Sequence, residues 1–134
     1  MEKRGMSLNE LLIAVVILSV VAALAVPSYL KTIEKTRGEE ALAVLRLLRA
    51  AERVYYQDWN ERYTTFITLA NEGYLQNPKA ETTRSFNYTM TINNAAPPRS
   101  VTVTATRKSG CNVNETITLT QGGAQAGNWS PKCP

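Results

Sequence analysis

The 134-residue chain reads as an α+β protein, with one long N-terminal helix whose second half packs on an antiparallel sheet of three to four strands. Three observations predict this class. Leu11 to Val26 are sixteen consecutive residues, apolar apart from Ser19. From Ser28 the apolar residues recur every three or four positions. After residue 85 the pattern changes to short stretches in which apolar side chains alternate with threonine.

The helix has a recognisable start. Ser7-Leu8-Asn9-Glu10 forms a capping box, with Ser7 accepting from the Glu10 N–H and Glu10 reaching back to Ser7. A second reading of Glu10 stays open. An ionisable group at the mouth of a membrane-grade segment is costly unless a positive partner meets it. The apolar run itself has two readings. Lys3-Arg4, the run and Ala23-Leu24-Ala25 satisfy the layout of a cleaved secretory signal. Counting back to Met6, the same run is long enough for a single membrane span, with Lys3-Arg4 holding its start in the cytoplasm. Glu10 and the helical pattern beyond Pro27 favour the span.

The second half of the helix is amphipathic. Arg37, Ala41, Val44, Leu48, Ala51 and Tyr55 define a stripe with Leu45 beside it, and most of the charged residues, Glu34 and Glu52 among them, fall off it. A continuous helix from about residue 8 to about residue 58 is expected, with Pro27 and Gly38 as points of weakening or bending. The aromatic group Tyr55, Tyr56, Trp59, Tyr63 and Phe66 closes it and is expected to pack on the sheet. A short helix follows at Thr65 to Glu72. The strands come next: Phe86, Tyr88, Met90 and Ile92 on one face; Val101, Val103 and Ala105; then Ile117 and Leu119. Gln121 to Gly127 reads as a flexible loop, and Trp129 as a return to the core.

Composition excludes several functions. The chain has no histidine, so the commonest general base and metal ligand are missing; Glu81 and Glu115 are the only acids after Glu72, a weak basis for a catalytic carboxylate pair in the sheet region, and no phosphate-binding glycine loop appears. No enzyme and no cofactor is expected. The net charge of +4 comes without a cluster of five basic residues. Arg99, Arg107, Lys108 and Lys132 are the one candidate patch for nucleic acid. Cys111 and Cys133, with 21 residues between them, lack metal-site spacing. They form one structural disulfide in an oxidising compartment, or remain two separate thiols.

The string Gly5-Met6-Ser7-Leu8-Asn9-Glu10-Leu11-Leu12-Ile13, behind a short basic leader and ahead of an apolar stretch ending at Pro27, resembles the class III signal of type IV pilins and their pseudopilin relatives. The resemblance covers about the first 27 residues, with Met6 where the family usually has phenylalanine and Ser19 where many members have glycine. It implies that a prepilin peptidase cuts between Gly5 and Met6 and that the new terminal residue, Met6, is N-methylated. Residues 1-5 are then a leader, 6-27 the hydrophobic helix, and 28-134 the amphipathic helix with its β-sheet head. It further implies a pilin-like fold, a helical homo-oligomer, and an inner-membrane precursor with its head in the periplasm before export into an extracellular pilus. Glu10 would pair with the Met6 amine of a neighbouring subunit and set axial register. The expected function is therefore a structural pilin of a type IV pilus used for adhesion, motility or DNA uptake. A type II secretion pseudopilin and a minor DNA-binding pilin are the alternatives. Gly122 to Asn128 contains no carboxylate for a calcium loop, which favours the pilus. Asn112 to Lys132 is the expected outward contact surface.

Overall fold

The computed structural model describes residues 7–75, 85–95, 97–110 and 112–131. Helix α1 (Leu8–Asp58) runs unbroken for 51 residues, continuous through Pro27 and Gly38. Its first turn carries the expected cap: the Ser7 N–H donates to the Glu10 carboxylate at 2.9 Å, and the reciprocal arm closes the box. At the other end, Asn60 and Glu61 take positive φ values of 54° and 60°, a conformation that cannot continue a right-handed helix. The Arg99 guanidinium holds the carbonyls exposed there, donating to Glu61 O at 2.8 Å.

A one-turn helix, α2 (Phe66–Asn71), leads towards four antiparallel strands: β1 (Phe86–Asn93), β2 (Ser100–Arg107), β3 (Thr116–Thr120) and β4 (Gln125–Gly127). They form a meander in chain order. The register sets Tyr88 opposite Ala105, and Val103 opposite Met90 on one side and Leu119 on the other. One face of the sheet therefore carries Phe86, Tyr88, Val101, Val103, Ala105, Ile117 and Leu119, all buried against α1, chiefly over β2 and β3. The threonines between them occupy the opposite, wetter face, as alternation requires. β4 corrects the reading of Gln121 to Gly127 as a flexible loop. Only the turn before it is a loop, because Gly127 at φ +125° brings its backbone against Thr116, so close that a Cβ would strike the Thr116 carbonyl.

The face of α1 that meets the sheet also differs from the expected stripe. Glu34, Gly38, Ala41, Leu42, Leu45, Leu48, Ala51 and Glu52 are buried, with Leu45 at the centre. Arg37, Val44 and Tyr55 lie only at its margin. Two carboxylates thought to face solvent are inside.

Gly38 has a packing role rather than a bending one. The Trp129 ring lies directly over it, and a Cβ at this position would fall within the ring. The tryptophan does return to the core, half-buried. Alanine at Gly38 would gain about 1 kcal/mol in helix propensity, but displacing the ring costs about 1–3 kcal/mol. Gly38→Ala is expected to destabilise the chain in urea titration. In a Trp129→Ala background the same change should become stabilising; an unchanged sign would disprove the contact's role.

Candidate assembly site

Among the described residues, none covers the first half of α1. Leu11, Leu12, Ile13, Val15, Val16, Ile17, Leu18, Val20, Val21, Leu24 and Val26 are each more than half exposed. Helix α1 has the length and apolarity needed to cross a membrane: an 18-residue window reaches a mean hydropathy of 2.7, and none of that window is buried. Burial of a Val, Leu or Ile side chain stabilises by about 1.5–3 kcal/mol, so leaving so many in water is not a viable end state. Lipid or other apolar helices must cover them. The one polar side chain within the run is already satisfied locally. Ser19 Oγ donates to the Val16 carbonyl at 2.7 Å, leaving a surface with no unmet donor at that point. Thr32 and Thr36 do the same to Ser28 and Thr32, each at 3.0 Å.

Glu10 stands at the open end of this surface. One carboxylate oxygen accepts from the Ser7 N–H, and the group is exposed. The capping reading of Glu10 therefore holds. It leaves acceptor capacity on a charge at the edge of an apolar face, so the cap does not exclude a second partner. Gly5 and Met6, the expected cleavage and methylation positions, lie outside the described residues.

Polar tethers, as well as apolar packing, hold the head on α1. Glu34 Oε1 accepts from Arg107 and from Arg37, both at 2.7 Å. Arg107 also donates to the Ser85 carbonyl at 3.1 Å and lies over the Phe86 ring. This corrects the basic-patch expectation: Arg107 is 1% exposed and committed to α1, so it offers nothing to a phosphate backbone. Lys108 is exposed, Arg99 faces the α1 terminus, and Lys132 lies outside the described residues. Sequence reading missed the Glu34–Arg107 pair, although a signal existed. Arg107 continues the period-2 series Val101, Val103 and Ala105, and Glu34 is eleven positions before Leu45, three helical turns on one face.

Further up α1, Glu52 is fully buried and accepts from the Thr64 N–H at 3.2 Å. Burial pushes its pKa from 4.5 up to about 7, against the opposing pull of that hydrogen bond. The aromatic group packs as expected in part. Tyr63 and Phe66 are core residues, and Tyr56 stacks on Tyr63 with centroids 4.7 Å apart. Trp59 instead stays half exposed, stacked on Tyr55 and bonded to Tyr74. The Asn94 side chain bridges the backbone of Tyr63 in both directions, at 3.0 and 2.7 Å, and so ties the helix exit to the β1–β2 turn.

The C-terminal segment is fastened to β3. Ser130 N–H donates to Glu115 at 2.9 Å, and Asn112 donates to the Ser130 carbonyl at 2.7 Å. Cys111 and Cys133 themselves lie outside the described residues. Among the described residues, no group of three or more His, Cys, Asp or Glu converges as a metal site would require.

A helix with a membrane-grade first half, joined without a break to an antiparallel sheet, gives the chain a pilin-like α+β fold. Comparison with known families agrees. Residues 1–26 match the family described as the prokaryotic N-terminal methylation motif. The chain is similar to the type IV major pilin protein PilA of Myxococcus xanthus (strain DK1622), at 35% identity over 69 residues. That alignment covers 52% of this chain and 30% of the relative. No solved structure matches.

Proposed function

We propose that this chain is a structural subunit that polymerises into an extracellular type IV pilus. The observation that carries the reading is the wholly uncovered apolar half of α1, rigidly continuous with the helix that holds the head. Such a segment is stable in the inner membrane before assembly and in a bundle of like helices afterwards. Contacts between different faces of successive copies generate a fibre when their rotation does not close into a ring. The prepilin peptidase would cut between Gly5 and Met6, leaving residues 6-27 as the anchor, and Met6 would carry the methyl group. The membrane assembly machinery would be a further partner. Cys111 and Cys133 would form a disulfide in the periplasm, a pairing that the Asn112–Ser130 hydrogen bond between their flanking segments supports. The role is mechanical, not enzymatic.

The pilus is preferred to a secretion pseudopilus because the stretch from Gly122 to Asn128 carries no carboxylate for a calcium loop and the similar protein is a major pilin. Electron microscopy of sheared surface material should show filaments. Mass spectrometry of the subunit should find a first peptide that begins at Met6 and carries one added methyl group.

Glu10 would meet the new Met6 amine of a neighbouring copy within the apolar bundle. Each charge alone there is expensive, and the pair is much less so. Glu10→Ala is expected to leave cleavage and membrane insertion intact and to abolish filaments. It removes a single helix cap of about 1 kcal/mol, too little to unfold the head. Normal filaments from this variant would refute the pairing.

A further inference from the structure

On the filament reading, we propose that the cleft at the upper end of α1 receives the Glu39–Glu40 carboxylate pair of a second copy. The cleft has a volume of about 410 Å³ and is walled by Arg49, Arg53, Tyr56, Gln57, Tyr63 and Gln121. It is open and basic. Arg49 is braced by its Nε, which donates to the Gln121 carbonyl at 3.1 Å. Arg53, one helical turn on, makes no hydrogen bond or ion pair among the described residues. The nearest acid in sequence, Glu52, is turned inward to the Thr64 N–H and does not neutralise them. Two guanidiniums side by side suit an oxygen anion pair, since each presents a planar fork of donors.

The complement is on the same helix. Glu39 and Glu40 are both exposed, and neither forms an ion pair or hydrogen bond among the described residues. They lie nine to fourteen residues before the two arginines, so a parallel copy displaced by about 17 Å towards the head end would bring them level, at 1.5 Å per residue. Pairing Glu10 with the amine of residue 6 offsets neighbouring copies by about 6 Å, four residues at 1.5 Å each. The second contact falls to a copy further along. Starting just past the acids and running alongside the basic cleft, Ala43, Leu47, Ala50 and Val54 recur at spacings of four, three and four on the exposed side of α1. Leu47 is 54% and Val54 49% exposed. This apolar track continues the uncovered surface of the first half; it starts between the directions of Glu39 and Glu40 and runs about a quarter turn round α1 from the two arginines.

The test uses the full chain in cells. Reversing the cleft (Arg49→Glu with Arg53→Glu) or the acids (Glu39→Arg with Glu40→Arg) is expected to cut filament yield about tenfold or more by like-charge repulsion. Combining all four reversals should restore it. Thermal melts of the detergent-purified subunits show whether each variant still folds. In parallel, Glu40→Cys combined with Arg53→Cys should yield an intermolecular ladder on oxidation of sheared filaments, and neither single cysteine variant should. Folded fourfold variants that assemble no better than either pair, or intact filaments without the ladder, would overturn the contact while leaving the pilus reading standing. Failure of the unaltered chain to form filaments would strike that reading instead.

Discussion

Replacing Arg107 with alanine is expected to cost about 3–5 kcal/mol of stability, one of the largest effects of any single change in this chain. The guanidinium is buried at the end of β2, and its Nη2 lies 2.7 Å from Glu34. Its removal strands a carboxylate that is 4% exposed in its side chain and cannot be rehydrated. Arg37, which shares the same oxygen at 2.7 Å, does not compensate. Its own side chain is 41% exposed, and its geometry as an i,i+3 partner serves only the outer lip. Glu34 Oε2 and Arg107 Nε lack partners among the described residues, so the pair is incompletely satisfied even in the intact protein. This leads to a second expectation. Glu34→Met combined with Arg107→Met should be far milder than either single change, within about 1–2 kcal/mol of the parent, because a buried ion pair exchanged for apolar volume is often neutral or favourable. Urea denaturation of the four chains as a double-mutant cycle measures the coupling. Arg99→Ala, which breaks a 3.8 Å contact to the exposed Glu61 carboxylate and a 2.8 Å bond to the Glu61 carbonyl, is the comparison for an arginine whose carboxylate partner is exposed. Additive effects at Glu34 and Arg107 would show that they are not a unit. What the pair supplies is orientation: it fixes where the sheet sits along α1, and so where the head stands relative to the apolar half.

The second large effect is pH dependence at Glu52. Its carboxyl ionises at 4.5 when exposed and at about 7 in the fold, raised by burial. Below about pH 4.5 the group is protonated in both states and makes no difference to the balance. Between the two values the folded state holds a proton that the unfolded state has lost. Stability therefore falls as pH rises through this window and levels off above about 7. The loss approaches about 3.5 kcal/mol, at about 1.4 kcal/mol per pKa unit. Glu52→Gln keeps the shape and an acceptor for the Thr64 N–H but cannot ionise. The glutamine chain should match the parent near pH 4.5 and exceed it by up to that amount at pH 8. Thermal melts of both chains across the range isolate this group, because every other carboxylate is common to the two. A difference that stays flat with pH, or grows towards acid, would contradict the assignment.

The fold was largely legible before any coordinates because its signals are local. The bounds of α1 follow from a capping box at Ser7 and from an apolar period that lasts until the aromatic group. β1, β2 and β3 follow from strict alternation with threonine. β4 was not legible. Three residues of Gln-Ala-Gly carry no alternating signal, and only the close approach permitted by Gly127 makes them a strand. The site divides in the same way. Glu10 stands out as a charge against an apolar run, whereas Glu34, Glu52 and Arg107 read as solvent-facing charges.

The amino-acid sequence by itself determined that a long helix with a membrane-grade front half would carry an antiparallel sheet, since periodicity and capping act between neighbours in the chain. Only the tertiary structure decided which side of that helix faces inward. The upper half of α1 carries apolar residues on more than one side, with Leu45 and Leu48 buried and Leu47 and Val54 left outside. A pattern read along one helix cannot fix its phase when two faces are apolar. Docking of the sheet chose between them, and that choice took two carboxylates and an arginine into the interior.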